Sequence, residues 1–347
     1  MKEGAADGHQ AEQQVLQAAD GDAAAAALQR KIYDCKETPD RPGTLVRSEG
    51  QPRGKDRQVN NCYDGFKVTH DFFSKVFGRN SIDGRGLPLS GSVHYKELDT
   101  PDGYNNAFWD GLKKEMVFGD GDHVAFDYFT DSLDVIAHEL GHGFVQFSSP
   151  LRYLSESGAL NESCADIFGS MIEQWHMRQT VDEADWILGQ TMFPVAFTGA
   201  ALRTFKAGKA YKNDPVLGTD PQRKHMRDLY EGPKDGGGTL WENTSPLFSI
   251  MGFELSANHI LGVHWNSGIP NHAFYLAATE LGGHSWEKVG RVWYKTMLSG
   301  RIPYTCTIKN FAKVTVDVAG TEFAQDDSVK KAIRDAWIKV GIPEQSL

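Results

Sequence analysis

Cysteine is scarce: Cys35, Cys62, Cys164 and Cys306 are the only four in 347 residues, and no two form a C-x-x-C pair. A cysteine zinc site and a thioredoxin-like motif therefore have no support, and unpaired buried thiols fit these positions at least as well as one or two disulfides. Long apolar runs are also missing, and the mean hydropathy is -0.44, which excludes a transmembrane anchor. There is no basic excess either. Lys and Arg total 36 against 46 Asp and Glu, for a net charge of -10. A surface that tracks phosphates draws its affinity from Lys and Arg, so nucleic acid is not an expected partner. The opening residues hold one short apolar run, Ala23 to Leu28, which follows Asp20 and Asp22 without a basic lead-in. It does not read as a secretory signal.

What the chain does have is apolar material for sizeable cores, 40% hydrophobic with 11% aromatic residues. At roughly 150 residues per domain, two domains are expected. Residues 1–30 are rich in Ala, Gln, Glu and Asp and lack aromatics, and read as a leader or propeptide remnant outside the fold, removed by self-cleavage near Arg30. Residues 31–134 hold short apolar runs such as Gly91–Tyr95 and Glu115–Phe118 between Gly, Pro, Asn and Asp signals, the pattern of strands and long loops. Residues 135–347 turn to helical spacing, with predicted helices over 131–147, 158–177, 271–281, 284–298 and 326–340. The fold class expected is α+β, a β-rich N-terminal domain before a mainly α-helical C-terminal one, with the active-site helix between them.

Within DSLDVIAHELGHGFVQF, His138 and His142 stand four residues apart, which on a helix puts both imidazoles on one face, one turn apart. That spacing suits two ligands of one zinc, and Glu139 beside the first is placed to take a proton from an attacking water. A chance pair of solvated histidines on an amphipathic helix is the competing reading. A third ligand is needed. The metzincin extension is absent, because Val145 and Ser148 stand where it needs Gly and His. ESGALNESCADIFGS follows instead, and offers Glu162, with Asp166 one turn further to fix the tautomer of a ligand histidine.

With its HELGH and ESGALNESCAD motifs, the chain from about residue 30 to its end resembles the thermolysin family of zinc metallopeptidases, in the protealysin-like manner. The resemblance implies a zinc-dependent metalloendopeptidase acting as a monomer on peptide or protein substrates, with a bulky apolar residue preferred after the scissile bond. It implies His138, His142 and Glu162 as zinc ligands, Glu139 as base, Asp166 behind them, and Tyr153 and His264 as donors to the oxyanion. It implies Asn106 and Ala107 on a substrate-binding edge strand, Arg203 on a substrate carbonyl, and Phe126, Phe129, Val135 and Leu202 around the specificity pocket. Read without it, Tyr153 is a packing residue, Arg203 a surface ion pair, and the pocket residues plain core. The family is mostly secreted, so the resemblance implies a secreted protein; with no signal peptide visible, a cytoplasmic one is the alternative, and a truncated gene start or a signal-less subfamily would explain the leader equally well.

The chain departs from that pattern in two places. The family's Asp, five residues before the GVH histidine, is replaced by His259; PKDGGG at 233–238 would supply Asp235 if residues 239–262 were removed. That segment reads as a retained intron or an insertion beside the cleft, and a zinc-binding pseudoenzyme blocked by it is the alternative function. Calcium ligands map onto Asp134, Glu173 and Asp185, but Ile187 and Gln190 replace two further acids, so one weak ion is the most this set would hold.

Overall fold

The computed structural model describes residues 27–100, 102–231 and 258–347. Five strands form one sheet in the order β2-β1-β3-β5-β4. Strand β1 (Arg30–Thr38) pairs antiparallel with β2 (Thr44–Ser48) and parallel with β3 (Leu89–Tyr95). β5 (Glu115–Gly119) continues the parallel run, and β4 (Ala107–Asp110) closes the sheet as an antiparallel edge, with Ala107 opposite Phe118. The expected strands at Gly91–Tyr95 and Glu115–Phe118 are both present. Arg30, near the expected processing point, is the first residue of β1 and is buried, its guanidinium bonded to Glu49.

The first helix, α1 (Arg57–Phe77), departs from the strand-and-loop expectation for this region. Asn60, Asn61, Asp64 and Gly65 lower its intrinsic propensity, which masks it in the sequence. Its ends are well marked all the same. Asp56 caps the first turn by accepting from the backbone N–H of Gln58 and Val59, and Gly78 at φ 67° closes the last. Val59, Tyr63, Phe66 and Phe73 are buried on one face, and tertiary burial of this kind outweighs weak propensity.

The next two helices, α2 (Leu133–Gln146) and α3 (Ser155–Met177), cross closely. The approach depends on missing side chains. A Cβ on Gly141 would stand 2.9 Å from Ala165 Cα, and one on Gly169 would stand 2.6 Å from the Asp134 carbonyl oxygen. Glycine at both positions lets the two backbones come near enough for His138 and His142 to meet Glu162. A two-stranded ribbon, β6 (Ile187–Leu188) and β7 (Arg203–Thr204), follows with Leu188 opposite Arg203.

Helices α4 (Asn258–Asn266), α5 (Gly268–Leu281), α6 (Val289–Met297), α7 (Ile308–Glu322) and α8 (Asp327–Lys339) complete the chain. The C-terminal helices predicted at 271–281, 284–298 and 326–340 are found within a few residues, while α4 and α7 were not anticipated. One hydrophobic core runs through both halves, from Ile32 in β1 to Trp337 in α8. None of the described helices is long and apolar enough to cross a membrane.

Candidate metal centre and cleft

α2 and α3 supply the polar centre of a cleft of about 440 Å³. His138 and His142 turn toward one another, with Nε2 atoms 3.1 Å apart. Glu162 Oε1 lies 3.3 Å from His142 Nε2, and Oε2 lies 3.7 Å from His138 Nε2. Among the described residues, these three form the one group of ligand atoms gathered within 4.8 Å of one another.

The outer nitrogens decide what the inner ones offer. His142 Nδ1 faces Asn161 Oδ1 at 2.8 Å, and His138 Nδ1 is 2.8 Å from Asp166 Oδ1, an ion-pair contact outside hydrogen-bond alignment. Asn161 at His142 Nδ1 and the Asp166 charge beside His138 Nδ1 favour ring protons on the outer nitrogens. In that tautomer the two Nε2 lone pairs face one another at 3.1 Å, and a cation between them would remove their repulsion. Two imidazoles and a carboxylate are a donor set that suits zinc and leaves a fourth position for solvent or substrate. The residues present therefore fit the metal. Burial pulls His142 down to about 4, which keeps its imidazole neutral. Burial alone would raise Glu162, but His264, His142 and His138 outweigh it and hold the carboxyl well below the usual range.

Asp166 anchors the rear of the site. Its Oδ1 accepts from Arg203 Nε at 3.1 Å and Nη2 at 2.7 Å, and its Oδ2 accepts from Asn271 Nδ2 at 2.8 Å. Burial opposes its charge, yet Arg203 and His138 bring it down to about 2. Glu139 moves the other way. Burial, with Glu162 adding to it, pushes its carboxyl up to about 8 against the pull of His138 and Arg203. Tyr153 and His264 come from α3's approach loop and from α4. The Tyr153 hydroxyl donates to Glu162 Oε1 and lies 3.2 Å from His264 Nε2, while His264 Nδ1 is 2.9 Å from Glu162 Oε2.

The structure brings Asn106, Ala107, Phe129, Val135, Tyr153, Leu202, Arg203 and His264 to the wall of the same cleft as His138, Glu139, His142 and Glu162. Phe126 instead packs behind the wall, its ring 5.3 Å from Phe129 and 5.2 Å from Phe193. Asp235 and residues 239–257 lie outside the described residues; residues 258–262 form the first turns of α4. Leu188, Met192 and Asn161 line the cleft as well and were missed in the sequence. Leu188 and Met192 sit in short irregular elements with no periodic signal. Asn161 had a cue, its place immediately before Glu162 on one helix.

Asp134, Glu173 and Asp185, the candidate calcium set, lie near one another further along α2 and α3, Asp134 one turn before His138 and Glu173 about three turns after Glu162. Asp134 Oδ1 accepts from Ser132 Oγ at 2.5 Å and Val135 N at 2.8 Å, and its Oδ2 accepts from Gly189 N at 2.7 Å. Burial, then Asp134 and Asp185, push the Glu173 carboxyl up to about 8.

Two family models match the chain: thermolysin metallopeptidase, catalytic domain, over residues 8–146, and thermolysin metallopeptidase, alpha-helical domain, over residues 149–342. An extracellular metalloprotease of Pectobacterium carotovorum subsp. carotovorum is 43% identical over 314 residues, covering 90% of this chain and 81% of that protein. Thermolysin of Alicyclobacillus acidocaldarius subsp. acidocaldarius is 31% identical over 282 residues, covering 79% and 43%. Among solved structures, the precursor of protealysin, a metalloproteinase from Serratia proteamaculans, superposes with a TM-score of 0.79 at 41% identity, covering 92% of this chain and 89% of that one.

Proposed function

The chain belongs to the thermolysin metallopeptidase family, and on that premise we propose that its cleft hydrolyses peptide bonds inside polypeptides, with a bulky apolar residue after the scissile bond. The observation that carries the reading is the pair of Nε2 atoms 3.1 Å apart beside a buried carboxylate. His138, His142 and Glu162 would hold the zinc. When bound, the ion supplies a Lewis acid that polarises the scissile carbonyl and acidifies water.

Glu139 takes a proton from the attacking water and returns it to the leaving nitrogen; a cation held beside it would favour the carboxylate form against the burial that pushes it up to about 8. Tyr153 remains a neutral phenol, because burial and the Glu162 charge raise it well above its ordinary value. Its hydroxyl and the ring of His264 are placed to donate to the oxygen on which charge develops. Substrate lies along β4, the edge strand of the sheet among the described residues, which can take an extended peptide as an added strand. Phe129, Val135, Leu188, Met192 and Leu202 line an apolar part of the cleft that receives the residue after the scissile bond. Arg203, fixed on Asp166, faces the substrate backbone. We divide the chain at 134/135 and place the action outside the cell, as the Pectobacterium relative's name has it.

The test is chelator-sensitive, zinc-restored cleavage of a quenched peptide carrying Leu or Phe after the scissile bond, using the chain as it stands. Turnover is expected. A folded chain that holds one zinc without turning over the peptide would favour the blocked pseudoenzyme, and deletion of residues 239–262 should then restore cleavage. A folded chain that takes up no zinc would sink the site itself.

A further inference from the structure

Arg203 and His264 face one cleft from segments far apart in sequence, β7 and α4. Between them lies a pair, half-buried Lys224 and buried Gln222, that none of the steps above uses. The Lys224 ammonium donates to the backbone carbonyl of Thr204, the residue after Arg203, and to Gln222 Oε1 at 2.9 Å. Gln222, itself 3% exposed, turns its amide nitrogen the other way, to Ser267 Oγ at 3.1 Å and to the backbone carbonyl of His264 at 3.4 Å. Ser267 Oγ donates to that same carbonyl at 2.9 Å. The run from Thr204 O through Lys224 and Gln222 to His264 O is thus continuous.

We propose that Lys224 and Gln222 are positioning residues that set the spacing of Arg203 and His264 across the cleft, an inference that rests on the proteolytic function proposed above. Their surroundings support a fixed geometry. Gln222 N–H donates to Asp220 Oδ1 at 2.8 Å, Lys209 Nζ donates to the Gln222 carbonyl at 2.7 Å, and Arg223 N–H donates to the Trp265 carbonyl at 2.7 Å. The backbone on both sides of the Gln222 side chain is therefore held. Burial draws Lys224 down to about 8, with Asp220 and Asp166 opposing that change.

The experiment combines hydrogen exchange with kinetics on the full chain. Lys224→Met should speed exchange in residues 203–206 and in residues 263–268 together, with α1 exchanging as in the parent. With the wild type turning over peptide, kcat should fall on the order of 10- to 100-fold, the scale expected of an ångström-sized misplacement. In an Arg203→Ala, His264→Ala background the same substitution should cost nothing further, a result that a lysine serving only stability would not produce. Gln222→Glu separates the two arms: it keeps an acceptor for Lys224 and loses the donors, so only 263–268 should loosen. Unchanged exchange in both segments, loosening of 203–206 alone in Lys224→Met, or full additivity in the double background would each overturn the proposal. If Lys224→Met unfolds globally, Gln222→Glu decides, since exchange in 263–268 equal to the parent's overturns it. A wild type without turnover would defeat the functional reading, while the exchange data would still judge the pair.

Discussion

The helix pair α2 and α3 carries two clusters of ionisable side chains that meet opposite fates. Toward the cleft, His138, His142 and Glu162 converge with their Nε2 and carboxylate atoms directed at a common point. Further along the same pair, Asp134 has its oxygens bonded to Ser132, Val135 and Gly189, and Glu173 is driven toward its neutral form. The first cluster joins two imidazoles to one carboxylate and the second holds carboxylates alone, so the two differ in the chemistry they offer. What separates them is the donor set, two imidazoles and one carboxylate converging in the cleft against three carboxylates, one of them already bonded to Ser132, Val135 and Gly189.

Glu139→Gln is the sharpest probe of the cleft side. It should lower kcat by about 10²- to 10⁴-fold, the usual worth of a positioned general base, while zinc analysis still finds one ion per chain. A variant keeping most of the parent's turnover would remove Glu139 from the chemistry. His142→Ala should take the metal itself, with zinc content falling well below one per chain and the melting temperature no longer responding to a chelator. Equal zinc in variant and parent would dissolve the distinction between the two clusters. Asp166→Asn should cost about 10- to 100-fold in zinc affinity or activity, as loss of a carboxylate behind a ligand histidine commonly does; activity within twofold of the parent would make Asp166 dispensable.

The smallest effect belongs to the acidic cluster. Glu173 is raised from 4.5 to about 8 in the fold, so between those values the folded chain holds a proton that the unfolded chain has released. Its contribution is fully present below pH 4.5, drains as pH rises through about 8, and is constant above. Urea unfolding across this window should show that loss in the parent, to which Glu139, raised as far, also contributes, and Glu173→Gln should reduce the slope. A slope equal to the parent's would assign the titration elsewhere. Calcium at pH 8 should leave the melting temperature of the parent unchanged; a rise that Glu173→Gln abolishes would show that the second cluster takes an ion after all.

Much of this was legible before any coordinates. The spacing of His138 and His142 and the ESGALNESCAD run point to the cluster, because helical periodicity maps sequence offset onto direction in space. The helix α1 was hidden because Asn60, Asn61, Asp64 and Gly65 weaken a pattern that burial against the sheet then rescues. Leu188 and Met192 were hidden because short irregular segments carry no period to read.

Residue identity and local spacing determined which side chains could serve as ligands, base and donors, since those depend on functional groups and on one helix's own geometry. Tertiary structure alone decided which of those side chains meet. Glu162 meets the two histidines because glycines 141 and 169 let α2 and α3 approach, whereas the oxygens of Asp134 are consumed by Ser132, Val135 and Gly189. Arg203 and His264 share one cleft through contacts spanning some sixty residues of sequence, a distance over which no local pattern carries information.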